Sequence, residues 1–245
     1  MTGAHYSNEE MMVVSIARQV RDFETVAVGA VSPIPAAGCI LAEQMYAPNI
    51  TLLMLDVEEY YPFSAGSSEL HFLAQRGELD LFFLSGVQID EHANFNLHVI
   101  GNYRRPDVRL AGAYGSGMLY YMARRVIFFR TEHSLRTFVP KVDFVSGAGV
   151  TPDTVYRQGG PALVITPKGV LEWDNKTAQW KLLYVQPASS YHDIQAHTGF
   201  ELKPSGSFRY AAPPTNQELS CLRTVARNKL EATYPDFFQQ NVLRN

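Results

Sequence analysis

Residues 81–117 read LFFLSGVQIDEHANFNLHVIGNYRRPDVRLAGAYGSG, and the reading of this stretch decides the fold. Two apolar runs, Leu79 to Leu84 and Val108 to Ala111, each empty into a loop of glycine and polar residues, Ser85 to Asp90 and Gly112 to Gly117. Apolar runs of strand length that stop at small-residue loops are how open α/β sheets build sites, because ligands settle in the crevice beyond the carboxyl ends of the strands. The second loop feeds a predicted helix over Met118 to Arg124, whose first backbone N–H groups lack intrahelical partners and face the loop. Such a cradle suits an anion. It lacks the lysine of a P-loop and the spacing of a dinucleotide fingerprint, so a tight strand-to-helix turn explains it equally well.

The elements on either side support the same architecture. Ser7 and Glu10 form a capping box, with Tyr6 and Met11 placed to staple across it, and Met12, Val13, Ile16, Ala17, Val20 and Phe23 make one apolar stripe. A helix over Asn8 to Arg21 should lay that stripe on a sheet. Thr25 to Val28 reads as a strand ending at Gly29, Ser32 to Pro35 as a stiff loop, and Ala36 to Tyr46 as a helix. Ile50 to Leu55 is too uniformly apolar for a half-exposed strand and should be covered on both faces. A short helix is expected over Glu69 to Arg76. Further strands are expected at Arg125 to Arg130 and Lys141 to Ser146, a hairpin at Ala162 to Thr166 and Val170 to Trp173, and its extension at Lys181 to Val185. Ser189 or Ser190 should cap a short helix, and Asn216 to Thr233 carries Leu219, Leu222, Val225, Ala226 and Leu230 as a last amphipathic helix. The expected fold is α/β, an open mixed, largely parallel sheet flanked by helices, formed by residues 1–245 as one domain.

Composition narrows the function classes. A hydrophobic content of 46% over 245 residues suffices for a sizeable core, and a net charge of -3 without basic clusters beyond Arg104–Arg105 and Arg124–Arg125 argues against a nucleic-acid face. No apolar run approaches the roughly 20 residues that cross a bilayer, and the acidic, polar amino terminus does not look like a targeting signal, so the expectation is a cytoplasmic protein without a membrane partner. Cys39 and Cys221 lie in predicted helices without metal or redox spacing and read as buried thiols. The histidines His92, His98, His133, His192 and His197 show no ligand pattern, and no metal is expected.

Two other candidate chemistries stand in the sequence. Asp56, Glu58 and Glu59 follow an apolar strand together with Tyr60 and Tyr61, a placement that suits catalysis, although a solvated loop mouth is the plainer reading. Ser116 in GAYGSGM suggests a nucleophile elbow, but it is not centred in G-x-S-x-G, and no ordered acid and histidine follow, which makes a hydrolase triad unsupported.

Taken together, YSNEEMMVVSIARQV with VAVG after it, YAPNITLL, the run from Ser85 to Gly117, VITPKGVLEWD and HTGFEL give the chain a resemblance over nearly its whole length. It resembles the beta-type half of a two-subunit class I CoA-transferase, of the glutaconate CoA-transferase type. The matching central features stand here as Gly86, Gln88, Ile89, Asp90, Asn94, Asn96, Ile100, Gly101, Pro106 and Gly112 to Gly117. The resemblance implies pairing with an alpha-type CoA-transferase subunit in a hetero-oligomer, with an acyl-CoA thioester held as substrate where the two meet and no permanently bound cofactor. It places the substrate against Ser85, Gly86, Gln88, Asn94, Gly112, Gly115, Ser116 and Gly117.

In such transferases a glutamate after the APxxxxx strand attacks the thioester and becomes a glutamyl-CoA, which splits one difficult step into two. The corresponding position is Leu55, which offers no nucleophile. Asp56 and Glu58 are the nearest catalytic candidates, and a one-residue slip along a strand turns a side chain to the opposite face, so neither is a free substitute. The family also contains relatives without this glutamate, resembling a steroid-ring hydrolase whose alpha-type half carries the essential acid and a decarboxylase of a branched glutaconyl thioester. The expectation is therefore hydrolysis or decarboxylation of a CoA ester. Genuine CoA transfer through another carboxylate, and a non-catalytic scaffold that completes its partner's site, remain as alternatives.

Overall fold

In the computed structural model, which describes residues 5–243, Ser7 and Glu10 close the expected capping box: the Ser7 hydroxyl accepts from the Glu10 N–H at 3.0 Å and the Glu10 carboxylate from the Ser7 N–H at 2.9 Å. The helix they start, α1 (Asn8–Ala17), is buried all round from Glu10 to Ala17 and ends earlier than its apolar stripe suggests. Phe23 lies outside the core, with φ +64° and 77% of its surface exposed. Strand β1 (Thr25–Val28), helix α2 (Pro33–Met45) and strand β2 (Thr51–Met54) form the expected unit. Helix α2 starts three residues before the sequence reading, because a proline in the first turn gives up only an N–H that has no intrahelical partner. Helix α3 (Ser68–Gln75) leads to strand β3 (Leu81–Leu84).

After β3 the chain leaves the sheet. Gln88–Ile89 (β4) pairs with Phe95–Asn96 (β5), and Val99–Asn102 (β6) with Arg105–Arg109 (β7), as two small antiparallel ribbons. The second apolar run is thus corrected: Val108 belongs to β7, is 47% exposed, and shares that strand with Arg105, Asp107 and Arg109, which leave it no face to bury. Helix α4 (Ser116–Met122) returns the chain to β8 (Arg125–Phe129). Lys141 to Ser146 does not form the expected strand. Its backbone is held instead by side chains, the Asp143 N–H donating to Gln88 Oε1 at 2.9 Å and the Val142 N–H to Asp90 Oδ2 at 3.3 Å.

The meander β9 (Pro161–Ile165), β10 (Gly169–Asp174) and β11 (Gln179–Val185) follows as read from the sequence, then α5 (Tyr191–Ala196), which Ser190 caps, and β12 (Lys203–Tyr210). The last amphipathic stretch is α6 (Asn216–Cys221) and α7 (Arg227–Leu230) joined through a π segment at Leu222–Ala226, followed by α8 (Pro235–Gln240). The eight-stranded sheet has the order β12-β11-β10-β9-β8-β3-β1-β2. Pairing is parallel from β9 through β2 and between β11 and β12, and antiparallel across β9–β10–β11. The mixed, largely parallel sheet is as expected.

Alternation along the strands sends one set of side chains to each face. Val26, Leu52, Met54, Leu81 and Ile127 join a core with α1, α2 and the C-terminal helices. Ala27, Leu53, Phe82, Leu84 and Phe128 join another with Leu70, Leu119 and Tyr120 of α3 and α4. Each buried Leu or Phe contributes about 1.5–3 kcal/mol, so these layers hold the helices in place more than local propensity does. Cys39 is fully buried and Cys221 half-buried, and burial pushes both thiols up, away from reactivity. No described helix is long and apolar enough to cross a membrane.

The termini are stapled by ion pairs. Glu10 accepts from Arg223 Nε at 2.8 Å, and Glu218, 1% exposed, accepts from Arg18 Nε at 2.7 Å and from the Tyr46 hydroxyl at 2.5 Å. Burial pushes the Glu218 carboxyl up, but Arg18, Tyr46 and Thr215 overcome it and hold it at about 2, below its ordinary 4.5. A depressed carboxylate adds stability above the unfolded value and loses it as pH falls through the folded one. Thermal melts of the wild type should therefore fall between about pH 4.5 and 2, and Glu218→Gln should melt lower at pH 7 and show a shallower fall over that window.

Candidate functional site

The carboxyl ends of β2, β1, β3 and β8 make one edge, and the loops expected to carry function leave from it. Leu55 extends β2 there, its N–H donating to Val28 O at 3.2 Å, and its side chain packs on the layer containing Leu53 and Phe82. Asp56 is committed within the chain: one carboxylate oxygen accepts from the Val31 N–H at 2.7 Å and the other from the Tyr234 hydroxyl at 2.5 Å. Burial, then Asp56, raises the Tyr234 pKa, so this proton stays in place. The bond to Val31 holds a β-branched residue at φ +54° on the loop between β1 and α2, a strained conformation that needs such an anchor. Glu58 and Glu59 sit exposed on a short 3-10 turn, Glu58–Tyr60. Glu59 pairs with Lys229 at 3.0 Å. Glu58 has no ion-pair partner among the described residues.

Beyond β3, the polar residues of the GVQIDEHANFN segment bond mainly to one another. Asp90, 1% exposed, accepts from the N–H groups of His92 (3.1 Å), Asn94 (2.9 Å) and Val142 (3.3 Å) and from Asn94 Nδ2 (3.0 Å). Gln88 accepts from Asn96 Nδ2 at 2.8 Å and donates to Asp143 at 2.9 Å. Asn94 Oδ1 accepts from the Gly149 N–H at 3.1 Å. Gln88 and Asn94, expected to touch substrate, thus spend their polar atoms on fastening the loops at 141–149. Gly86 is packed closely, since a Cβ there would lie 3.1 Å from Gln88 O and 3.3 Å from Phe95 Cβ.

The Gly112–Gly117 loop enters α4 at the carboxyl edge, because α4 packs on α3 and β3 and leads back to the start of β8. Gly112 takes φ +93°, Tyr114 takes φ +47° and stands 94% exposed, and Gly115 is the N-cap. The helix starts at Ser116, earlier than expected, and has seven residues. The loop brings two histidines with it. A Cβ on Gly115 would lie 1.6 Å from His71 Nε2, so glycine is what lets the α3 imidazole sit against the loop. His98 bonds through Nδ1 to Ser146 Oγ at 2.6 Å and its ring lies beside Gly112. Gly117 faces Ser146 O, 2.9 Å from where a Cβ would be. The Ser116 hydroxyl has no side-chain partner among the described residues.

Two residues at this edge carry no motif: Arg130, which the sequence places only at the end of a strand, and His133, which stands there only among the histidines without a ligand pattern. Arg130 follows β8, with Nη1 3.4 Å from Ser85 Oγ, and only its charge at the end of RVIFFR marked it. His133 is buried between Thr166 Oγ1 at 2.9 Å and Thr198 Oγ1 at 3.0 Å. Burial first, then Lys168 and His197, drives its pKa down to about 3, which keeps it a neutral hydrogen-bonding strut. No cluster of three or more His, Cys, Asp or Glu with metal-holding geometry occurs among the described residues.

The family model described as Coenzyme A transferase matches residues 53–197, more than half of the chain, including the loops just described. The chain belongs to the coenzyme A transferase family. It is similar to the beta-type half of glutaconate CoA-transferase from Acidaminococcus fermentans, 31% identical over 241 residues covering 85% of this chain and 88% of that one. The crystal structure of that organism's glutaconate coenzyme A-transferase superposes with a TM-score of 0.80 at 25% identity, over 90% of this chain and 94% of that one. The IpdB component of the cholesterol ring-cleaving hydrolase of Mycobacterium tuberculosis is 24% identical over 239 residues, 88% of this chain and 93% of that one. The decarboxylase AibA/AibB shares the fold, with a TM-score of 0.77 at 24% identity over 89% of this chain and 94% of that one. The CoA-transferase fold expected from the sequence is the one observed. Proteins similar to this family member in sequence thus include a transferase and a hydrolase by name, and a decarboxylase shares its fold.

Proposed function

We propose that this chain is the beta-type half of a two-subunit enzyme that acts on an acyl-CoA thioester by hydrolysis or decarboxylation. The observation that carries the reading is Leu55 at the carboxyl end of β2, where the family resemblance puts the nucleophilic glutamate, with its neighbour Asp56 bonded through both oxygens. A carboxylate already engaged by Tyr234 and a backbone N–H is a poor attacking group. Ser85, Gly86 and the loop Gly112, Gly115, Ser116 and Gly117 form the binding edge in this reading, with Gln88 and Asn94 fixing its shape. Backbone N–H groups there would stabilise the oxyanion of a thioester carbonyl or an enolate, an effect worth about 3 kcal/mol per donor where water is excluded. An alpha-type partner completes the site in this reading, as fits the two-part naming of the hydrolase relative and of the decarboxylase that shares the fold.

Glu58 favours a second reading, ordinary transfer, because it is exposed beside this edge and unpaired among the described residues. Trapping separates the two. The co-expressed complex, incubated with acyl-CoA and then with borohydride or hydroxylamine, should leave no modified carboxylate on this chain by mass spectrometry, while products show released carbon dioxide or an opened carbon–carbon bond. A CoA-dependent modification of Asp56, Glu58 or Glu59, with acyl-CoA formed from an added acid, would establish transfer instead.

A further inference from the structure

His71 is the histidine that the fold brings to the candidate edge and then leaves uncommitted. Of the histidines that are not exposed, His98 bonds to Ser146 through Nδ1, His133 to Thr166 and Thr198, and His197 to Asp193 O at 2.7 Å, whereas neither ring nitrogen of His71 has a hydrogen-bond partner among the described residues. The place of the ring is nonetheless tightly defined. A Cβ built on Gly115 would lie 1.6 Å from His71 Nε2, 2.4 Å from Cε1 and 2.9 Å from Cδ2, so the edge of the imidazole lies against that backbone with Nε2 foremost. Gly115 has φ -91° and ψ 0°, values that most residues take in type I turns, so its own backbone does not call for glycine. The imidazole does. A side chain at 115 and the ring of His71 exclude each other, and the loop is built around this nitrogen.

Helix α3 begins after the turn that follows β2 and ends before β3, so its first residues stand at the carboxyl edge. Leu70 and Ala74 seat it on the layer that takes Leu53 and Leu119, and Leu55 packs on the same layer from the end of β2. His71, Leu55 and the Gly112–Gly117 loop are therefore on one face at one edge. We propose that His71 is a catalytic residue, the proton carrier of the thioester chemistry at this edge. This deepens the acyl-CoA reading above and rests on it. Decarboxylation, or opening of a carbon–carbon bond beside the thioester, leaves the electron pair of the broken bond on a thioester enolate, whose carbon has to take up a proton. Protonated His71 gives that proton from Nε2, and the imidazole regains it from water. In the reverse sense, neutral Nε2 takes a proton from the carbon next to the thioester carbonyl, and the pair of the broken C–H bond forms the enolate. Imidazole is the side chain that serves both directions near neutral pH. Asp56, the other titratable group at the end of β2, has both oxygens engaged.

The test uses the complex with its alpha-type partner and vinylacetyl-CoA, whose α-hydrogens are acidified by the vinyl group and the thioester together. In heavy water the wild-type complex should exchange those hydrogens for deuterium, read by mass spectrometry. His71→Gln should exchange at least about a hundredfold more slowly and bind the probe within about threefold of the wild type. His71→Ala should be as slow, and free imidazole should restore its exchange, which a merely supporting side chain would not allow. Wild-type exchange in His71→Gln, a slow His71→Ala that imidazole leaves slow, or a wild-type complex that binds the probe without exchanging it removes the proton role and leaves the acyl-CoA reading in place. Loss of probe binding or a marked fall in melting temperature in His71→Gln would assign the ring to holding the loop, with the same consequence. A wild-type complex that binds neither vinylacetyl-CoA nor free CoA overturns the acyl-CoA reading and this role with it.

Discussion

Asp90→Ala is expected to cost about 4 kcal/mol of folding stability and to abolish ligand binding, although Asp90 touches no solvent-facing surface. Its carboxylate accepts four hydrogen bonds, three of them from backbone N–H groups, and its main-chain carbonyl accepts from Trp180 Nε1 at 3.1 Å. Alanine leaves those donors buried and unpaired, each at about 1–3 kcal/mol, offset in part by water entering the cavity. The function goes with the stability, because Asn94 carries the constraint on to Gly149 while Gln88 and Asp143 hold the neighbouring loop. Urea unfolding measures the first effect and acyl-CoA titration of the complex the second. Asp143→Ala, on the exposed side of the same network, should cost about 1 kcal/mol. A loss below about 1 kcal/mol for Asp90→Ala would show that the loops are held by packing of Phe95, Tyr120 and Phe138 alone.

That hub explains why the fold was more legible than the site. Strands such as Leu81–Leu84 and Arg125–Phe129 announce themselves because a parallel strand covered on both faces has to be apolar throughout. Val108 to Ala111 and Lys141 to Ser146 carried similar local patterns but lie away from the sheet. What holds the second of them is a contact 55 residues distant, Gln88 with Asp143, which no local window contains. Motif spacing marked Gln88, Asn94 and Asp90 as a constellation and could not tell a scaffold from a contact surface. Asp56 shows the same limit: its partners Val31 and Tyr234 sit 25 and 178 residues away. His71 is the reverse case, a functional candidate outside every motif, visible only once its contact with Gly115 is known.

Leu55→Glu should convert the most from a single side chain. Leu55 packs against an apolar layer, so a carboxylate there loses hydration, and the variant should lose about 2 kcal/mol of folding stability and titrate above the ordinary glutamate range. A desolvated carboxylate is also a better nucleophile, and one held beside a bound thioester reacts with the effective concentration of an intramolecular group, up to about 10⁵–10⁸ M in well-oriented cases. If the edge binds acyl-CoA as proposed, the complex carrying Leu55→Glu should acquire a hydroxylamine-sensitive CoA adduct at position 55 and measurable exchange of CoA between acids, both absent from the wild type. Leu55→Gln, similar in size without the nucleophile, should gain neither. A folded complex that binds acyl-CoA yet shows no adduct and no exchange in Leu55→Glu would mean that the nucleophile of the transferases does not map to the end of β2 in this chain, and the case for hydrolysis or decarboxylation would lose its foundation.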